Sequence, residues 1–197
     1  MPVPSVARIV KSLRNRATPL STRLRGAAMR TLMPGLIDGG ARIAIGRGVE
    51  LVVYGELIIG ENVILSGGCS LQVGPGARLT LGNRVFVGRG TVIAAHESIE
   101  IGDDTIIAEH CSVRDQDHQL LPEARLRLVE SKSITAPVTL AENVWLGAGA
   151  RVLRGSHIGA GAVVGANAVV RGQVPARVVV AGIPARILKS LEEAGAK

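Results

Sequence analysis

The sequence predicts a mainly-β solenoid, and three observations carry that expectation. The first is a period of six, with an aliphatic residue returning at Leu140, Leu146, Val152, Ile158, Val164 and Val170. The second is a companion set four places on: Val144, Ala150, Ser156, Ala162, Ala168 and Val174, all small or modest in size. The third is a glycine directly after the aliphatic residue, at Gly147, Gly159 and Gly165. A period of six suits neither an amphipathic helix nor an alternating strand. It suits a stack in which each hexad is a short strand plus a turn, and three hexads close a coil of roughly 18 residues. The aliphatic residue then points into a narrow prism and the companion fills a cramped inner corner. The glycine relieves the backbone where the chain turns.

Taken in order, the chain begins with a basic arm. Val6, Ile9, Val10 and Leu13 fall at helical spacing with Arg and Lys opposite them, Pro19 ends that segment, and a second basic stretch runs from Thr22 to about Leu32. Before Ile43 the bases are Arg8, Lys11, Arg14, Arg16, Arg23, Arg25, Arg30 and Arg42 against the single acid Asp38, so the arm alone carries the whole +7. The remaining fifteen bases and fifteen acids cancel, leaving a neutral body. A basic amphipathic segment suits peripheral contact with an anionic membrane surface, or docking on one end of the solenoid. Stacked aromatics and Gly-rich RNA-binding signatures are missing, so nucleic acid is not an expected partner.

Hexads can be traced from Ile45 through Ile59, Leu65 and Leu71, with small corner insertions around 49–55 and 74–77. They return at Leu81, Val87 and Ile93, slip by two residues at 96–98, and continue at Ile101, Ile107 and Val113. The pattern stops at Arg114 and resumes near Ile134 to Leu140, so about 114–137 is an insertion thrown out from one corner. Long insertions of this kind in compact folds usually carry function or are disordered. After Val174 a last strand, a turn at Gly182 and a helix over 184–197 are expected. Pro184 would open that helix, Gly195 would stop it, and Ile187, Leu188 and Leu191 would dock it. The organisation is thus an arm over 1–42, a solenoid over 43–183 and a short C-terminal helix. Six to seven coils would stand roughly 30 Å tall.

Tyr54, Phe86 and Trp145 are the only aromatics, a supply that would starve an ordinary core but not a prism of Ile, Val and Leu. Cys69 and Cys111 occupy companion positions after Leu65 and Ile107 and read as small buried thiols rather than a disulfide or metal pair. With no apolar span and no signal-type leader, the expected location is cytoplasmic.

The chemistry-bearing cluster is Asp115, Asp117 and His118, within four residues where the repeat breaks. Histidine titrates near neutrality and is the commonest general base, and a nearby carboxylate can hold its tautomer. His96 lies in a corner one coil earlier and can line the acceptor side, whereas His110 and His157 read as solvent-facing.

The hexads, the histidine in an inserted loop and the ending NVWLGAGARVLRGSHIGAGAVVGANAVVRGQVPARVVVAGIPARILK resemble the hexapeptide-repeat acyltransferases. The resemblance is nearest to sugar O-acetyltransferases and covers about residues 59–190. It implies a left-handed parallel β-helix, a homotrimer with active sites between subunits, acetyl-CoA as donor, a sugar or glycoconjugate acceptor, and no metal. By position, His118 matches the catalytic base. The backbone N–H near Gly147–Ala148 matches the donor to the thioester carbonyl, and Trp145 matches a wall of the site. Ala166 lies where the pantetheine arm is bound, and Arg186 and Lys189 match cations reaching the CoA phosphates. Where relatives often carry Thr-Lys, this chain has Arg171-Gly172, so Arg171 stands in for the lysine's charge. Two alternatives come from other classes: a zinc enzyme resembling the γ-class carbonic anhydrases, whose H-x₄-H ligand spacing is missing here, and a non-catalytic scaffold.

Overall fold

A computed structural model describes residues 42–119 and 133–191. The basic arm up to residue 41, the middle of the insertion and residues 192–197 lie outside the described residues. No helix among the described residues is long and apolar enough to cross a membrane.

The chain winds as a three-faced parallel β-solenoid, consistent with the left-handed β-helix that the resemblance implies. Face I stacks β1 (Ala44–Ile45), β4 (Ile64–Leu65), β7 (Phe86–Val87), β10 (Ile106–Ile107), β15 (Trp145–Leu146), β18 (Val163–Val164) and β21 (Val178–Ala181). Face II stacks β2 (Glu50–Val53), β5 (Ser70–Val73), β8 (Val92–Ala95), β11 (Ser112–Arg114), β16 (Arg151–Val152) and β19 (Val169–Val170). Face III stacks β3 (Glu56–Ile59), β6 (Arg78–Leu81), β9 (Ser98–Ile101), β14 (Val138–Leu140), β17 (His157–Ile158) and β20 (Gln173–Val174). Seven rungs on face I span six spacings, roughly 29 Å at about 4.8 Å each.

All twelve aliphatic and companion positions from Leu140 to Val174 are buried, from 0% to 7% exposed. All but Ser156 belong to one continuous core of Ile, Val, Leu and small residues. Ser156 is the one polar companion, and its Oγ donates to Val170 O at 3.3 Å. Cys69 and Cys111 are free and buried, and their Sγ atoms donate to Gly88 O (2.9 Å) and Gly147 O (3.2 Å). The rung of Thr91 separates them, which is too far for a disulfide. Burial pushes both thiols up, though neighbouring backbone N–H groups partly oppose it.

Glycine acts differently from the sequence-based expectation. Gly147, Gly159 and Gly165 do not hold a left-handed backbone; that conformation falls two residues later, at Gly149, Gly161 and Asn167. What the first three provide is proximity to the next coil. A Cβ on Gly147 would sit 2.6 Å from Ala166 N, and one on Gly159 would sit 2.4 Å from Ala176 N.

The chain's end is a second correction. Residues 186–190, expected in a helix, form strand β22 (Arg186–Ser190), which pairs antiparallel with β21. The top of face I would otherwise present unpaired N–H and C=O groups. Satisfying that edge outweighs the weak helical pattern of Ile187, Leu188 and Leu191.

Candidate active site

Matching rungs around the coils reveals where the irregularity is confined. From face I to face II the step is always six residues: Ala44 to Glu50, Phe86 to Val92, Trp145 to Arg151. From face III back to face I it is again six: Thr80 to Phe86, Glu100 to Ile106, Gln173 to Val179. From face II to face III it runs eight (Glu50 to Ile58), ten (Ser70 to Thr80), eight (Val92 to Glu100), twenty-seven (Ser112 to Thr139), six (Arg151 to His157) and four (Val169 to Gln173). Every insertion therefore falls at corner II–III.

The longest insertion leaves this corner as an antiparallel hairpin of β12 (Gln116–His118) and β13 (Ser133–Thr135), with His118 opposite Ser133. His118 is exposed at the outer end of its strand. Asp115, at the hairpin's root, is fully buried. Its Oδ1 accepts from His96 N and its Oδ2 from Glu97 N, each at 2.8 Å, while its carbonyl accepts from Ala136 N at 2.9 Å. This carboxylate holds the corner one coil below to the root of the hairpin. Asp117 accepts from Arg154 Nε at 3.2 Å. Successive side chains of a strand leave opposite faces, so Asp117 and His118 point to opposite sides of the hairpin. Of the two carboxylates proposed to orient His118, one thus ties the corner together and the other reaches up to the next coil. Arg154 escaped the sequence reading; counting one coil up from the loop root would have found it.

Arg171 is exposed at the same corner two coils above the hairpin, and His96 is exposed one coil below it. Corner II–III therefore gathers His96, Asp115, Asp117, His118 and Arg171. The other expected residues lie elsewhere. Trp145 is half-buried on the outer side of face I, packed against Ile106 in a ladder with Phe86 and Val163. Gly147, Ala148 and Ala166 lie at corner I–II. The Gly147 N–H is spent on Val164 O at 2.7 Å. Those of Ala148 and Ala166 donate to no acceptor among the described residues. These two open amides, one coil apart, are the donors the corner offers. Arg186 and Lys189 extend from β22 at the top of face I, both exposed. Face II separates the two groups of residues. At about 3.3 Å per residue, six residues put them up to roughly 20 Å apart in one chain.

Among the described residues, no three of His, Cys, Asp and Glu are grouped to hold a metal ion. The third corner, III–I, is braced by charge. Asp103 Oδ1 accepts from Asn83 N at 2.8 Å, and Arg84 bridges Asp103 (3.2 Å) and Asp104 (2.6 Å). Burial works against ionising Asp103, but the Asn83 N–H groups and Arg84 outweigh it and hold the carboxyl below the usual range.

A hexad-built parallel solenoid with a histidine-bearing hairpin at one corner defines a hexapeptide-repeat protein. Residues 137–172 match the family described as bacterial transferase hexapeptide (six repeats). Over these repeats the chain resembles the hexapeptide-repeat acyltransferases. It is 35% identical to the Escherichia coli (strain K12) protein WbbJ, named for lipopolysaccharide-biosynthesis O-acetyl transfer, over 44% of this chain and 47% of that protein. Its fold is similar to that of AntD, an N-acyltransferase from Bacillus cereus solved with dTDP and 3-hydroxybutyryl-CoA (TM-score 0.71, 21% identity, 84% and 87% of the two chains). It is also similar to the hexapeptide-repeat acetyltransferase VCA0836 from Vibrio cholerae complexed with acetyl coenzyme A (TM-score 0.56, 25% identity, 95% and 86% covered). The chain spans less than half the length of the first curated relatives it matches, between 28% and 47%.

Proposed function

We propose that this protein transfers an acetyl group from acetyl-CoA to a hydroxyl of a sugar or glycoconjugate precursor, working as a homotrimer. The observation that carries this reading is the hairpin. An otherwise regular solenoid concentrates its insertions at one corner and presents His118 there. His118 takes the proton of the acceptor hydroxyl as that oxygen bonds to the thioester carbon. The Ala148 N–H faces the oxyanion that forms on the carbonyl oxygen. Collapse breaks the C–S bond, and the departing thiolate recovers the proton from His118. Asp115 acts as a positioning residue by fixing the hairpin root, and Arg154 braces the opposite side through Asp117. The open amide of Ala166 and the exposed charges of Arg171, Arg186 and Lys189 suit the pantetheine amides and phosphates of the donor. His96 stands on the acceptor side.

The resemblance to WbbJ favours a hydroxyl acceptor over an amine. Product lability to alkaline hydroxylamine separates the resulting ester from an amide. Turnover followed by thiol release tests the base: His118→Ala should lower kcat by about 10²–10⁴ with unchanged melting temperature. Unaltered turnover would remove His118 from the mechanism. Calorimetric titration with acetyl-CoA should give binding that weakens in Arg186→Ala/Lys189→Ala, and no binding at millimolar donor would sink the acetyl-transfer reading. The basic arm suits a site at the cytoplasmic face of a membrane. Deleting residues 1–34 should then abolish co-sedimentation with anionic liposomes.

A further inference from the structure

We infer that a recess below the hairpin is a subsite for neutral sugar residues, so that the acceptor is an oligosaccharide or longer glycan rather than a single sugar. The inference rests on the sugar-acceptor reading above and names its substrate class.

The recess lies where face III leaves corner II–III, in the three coils below the hairpin. Its volume is about 550 Å³, and its lining includes Gly55, Glu56, Gly76, Arg78, Ser98 and Glu100. That volume suits a small-ligand site. Extra residues at the corner shape it. The chain takes eight, ten and eight residues here where the strict corners take six, and the surplus brings Tyr54, Pro75 and His96 to the surface on successive turns. A Cβ on Gly76 would meet nothing within 4 Å, so its backbone is open to a ligand.

Three features favour a sugar. Phe86 and Trp145 pack against Ile106, whereas Tyr54 stands 75% exposed beside the lining residue Gly55. Its flat ring offers a platform for the C–H face of a pyranose, and its hydroxyl adds a hydrogen bond. The second feature is the polar set. Arg78 Nε donates to Glu56 Oε2 at 2.7 Å in an exposed pair, while the side chains of Ser98 and Glu100 have no partner among the described residues. Carboxylates, a guanidinium fork and a hydroxyl side by side match vicinal sugar hydroxyls, which both donate and accept. The third is the sign of the charge. Arg78 cancels Glu56, which leaves Glu100 and the adjoining exposed Glu97 to repel phosphates and uronates.

The hairpin sets the reacting end. Asp117 meets Arg154 of the coil above, so His118, the next residue of the strand, faces the coils below. The chain returning from the hairpin stacks Val138 on Ile99, which puts the recess beneath the hairpin's root. From Ile58 up through Thr80 and Glu100 to Thr139 there are three spacings, roughly 14 Å at about 4.8 Å each. That is the length of a short oligosaccharide. A second hollow on face III, of about 780 Å³, shares Glu100, but none of its lining residues is aromatic. Its Arg84 is already held by Asp103 and Asp104.

The test is binding of the full chain, without acetyl-CoA, to neutral glycans from mono- to hexasaccharide built of glucose, galactose, mannose, rhamnose or N-acetylglucosamine. At least one series should gain about tenfold or more in affinity between monosaccharide and trisaccharide and then level off. Tyr54→Ala and Glu100→Gln should each weaken that binding by about fivefold or more, with melting temperature and acetyl-CoA affinity as in wild type. Both side chains are exposed, so folding does not depend on them. Tyr54→Phe, which keeps the ring, should retain most of the binding. No binding to any series, a monosaccharide bound as tightly as its longer chains, or unaltered binding by Tyr54→Ala would overturn the inference. So would tighter binding of glycans that carry phosphate or uronate. A chain that binds the longer glycans but no acetyl-CoA would keep the recess and remove the acetyl transfer. One that acetylates a monosaccharide as readily as its oligosaccharide would keep the transfer and remove the recess.

Discussion

Corner II–III and the other two corners are built from the same hexads, yet they obey different rules. Corners I–II and III–I step by six residues on every turn compared, whereas corner II–III steps by anything from four to twenty-seven. At the strict corners, backbone stacks on backbone so tightly that a single Cβ on Gly147 or Gly159 would collide with the coil above. At corner II–III the chain can leave the stack, provided something pins its exit. Asp115 provides that pin, its buried carboxylate accepting two hydrogen bonds from the corner below. Close packing fixes where the fold cannot change, and one buried carboxylate holds the root of the longest insertion.

The comparison breaks most visibly in the core. Leu146→Ala, fully buried beneath a strict corner, should cost about 2–5 kcal/mol in urea unfolding because the stacked coils cannot collapse into the void. An insertion at corner II–III should cost far less. Asp115→Ala should cost about 1–3 kcal/mol by leaving the His96 and Glu97 N–H groups without their acceptor. Asp115→Asn, which keeps one acceptor oxygen, should recover part of that loss. Equal stability of Asp115→Ala and wild type would mean the pin is dispensable. Arg154→Ala removes a partly exposed pair and should change stability by less than about 1 kcal/mol. A fall in kcat at unchanged stability would show that it braces the hairpin.

The smallest effect concerns pH at a strict corner. Because the folded Asp103 carboxyl titrates below its unfolded value near about 3.9, its stabilisation is fully present above that pH. It is lost as pH falls through the folded value. Asp103→Asn should therefore flatten the acid limb of stability below about pH 4 and leave stability at pH 7 only slightly lower. An unchanged acid limb would assign that loss to other carboxylates.

Much of this was legible without coordinates. The hexads from Leu140 to Val174 named twelve inward positions, and every one is buried. The break at Arg114 marked the base of the hairpin. Other features were not legible, and each has a physical cause. Two roles for glycine, close approach and left-handed backbone, look identical in a sequence; only the neighbouring coil distinguishes Gly147 from Gly149. Asp115 and Asp117 looked interchangeable beside His118, because direction along a strand depends on register. Residues 186–190 carried a helical pattern, but the open edge of β21 was a stronger demand than any local preference.

By itself, then, the sequence determined the repeat, the inward set and the corner at which the repeat fails, because side-chain burial with a period of six is a local property of the chain. Tertiary structure alone decided that all insertions share one corner, that Asp115 is a buried pin, that the last strand caps face I, and that the two groups of candidate residues flank face II. These facts join residues one or more coils apart, and stacking brings such residues together only once the register between coils is set.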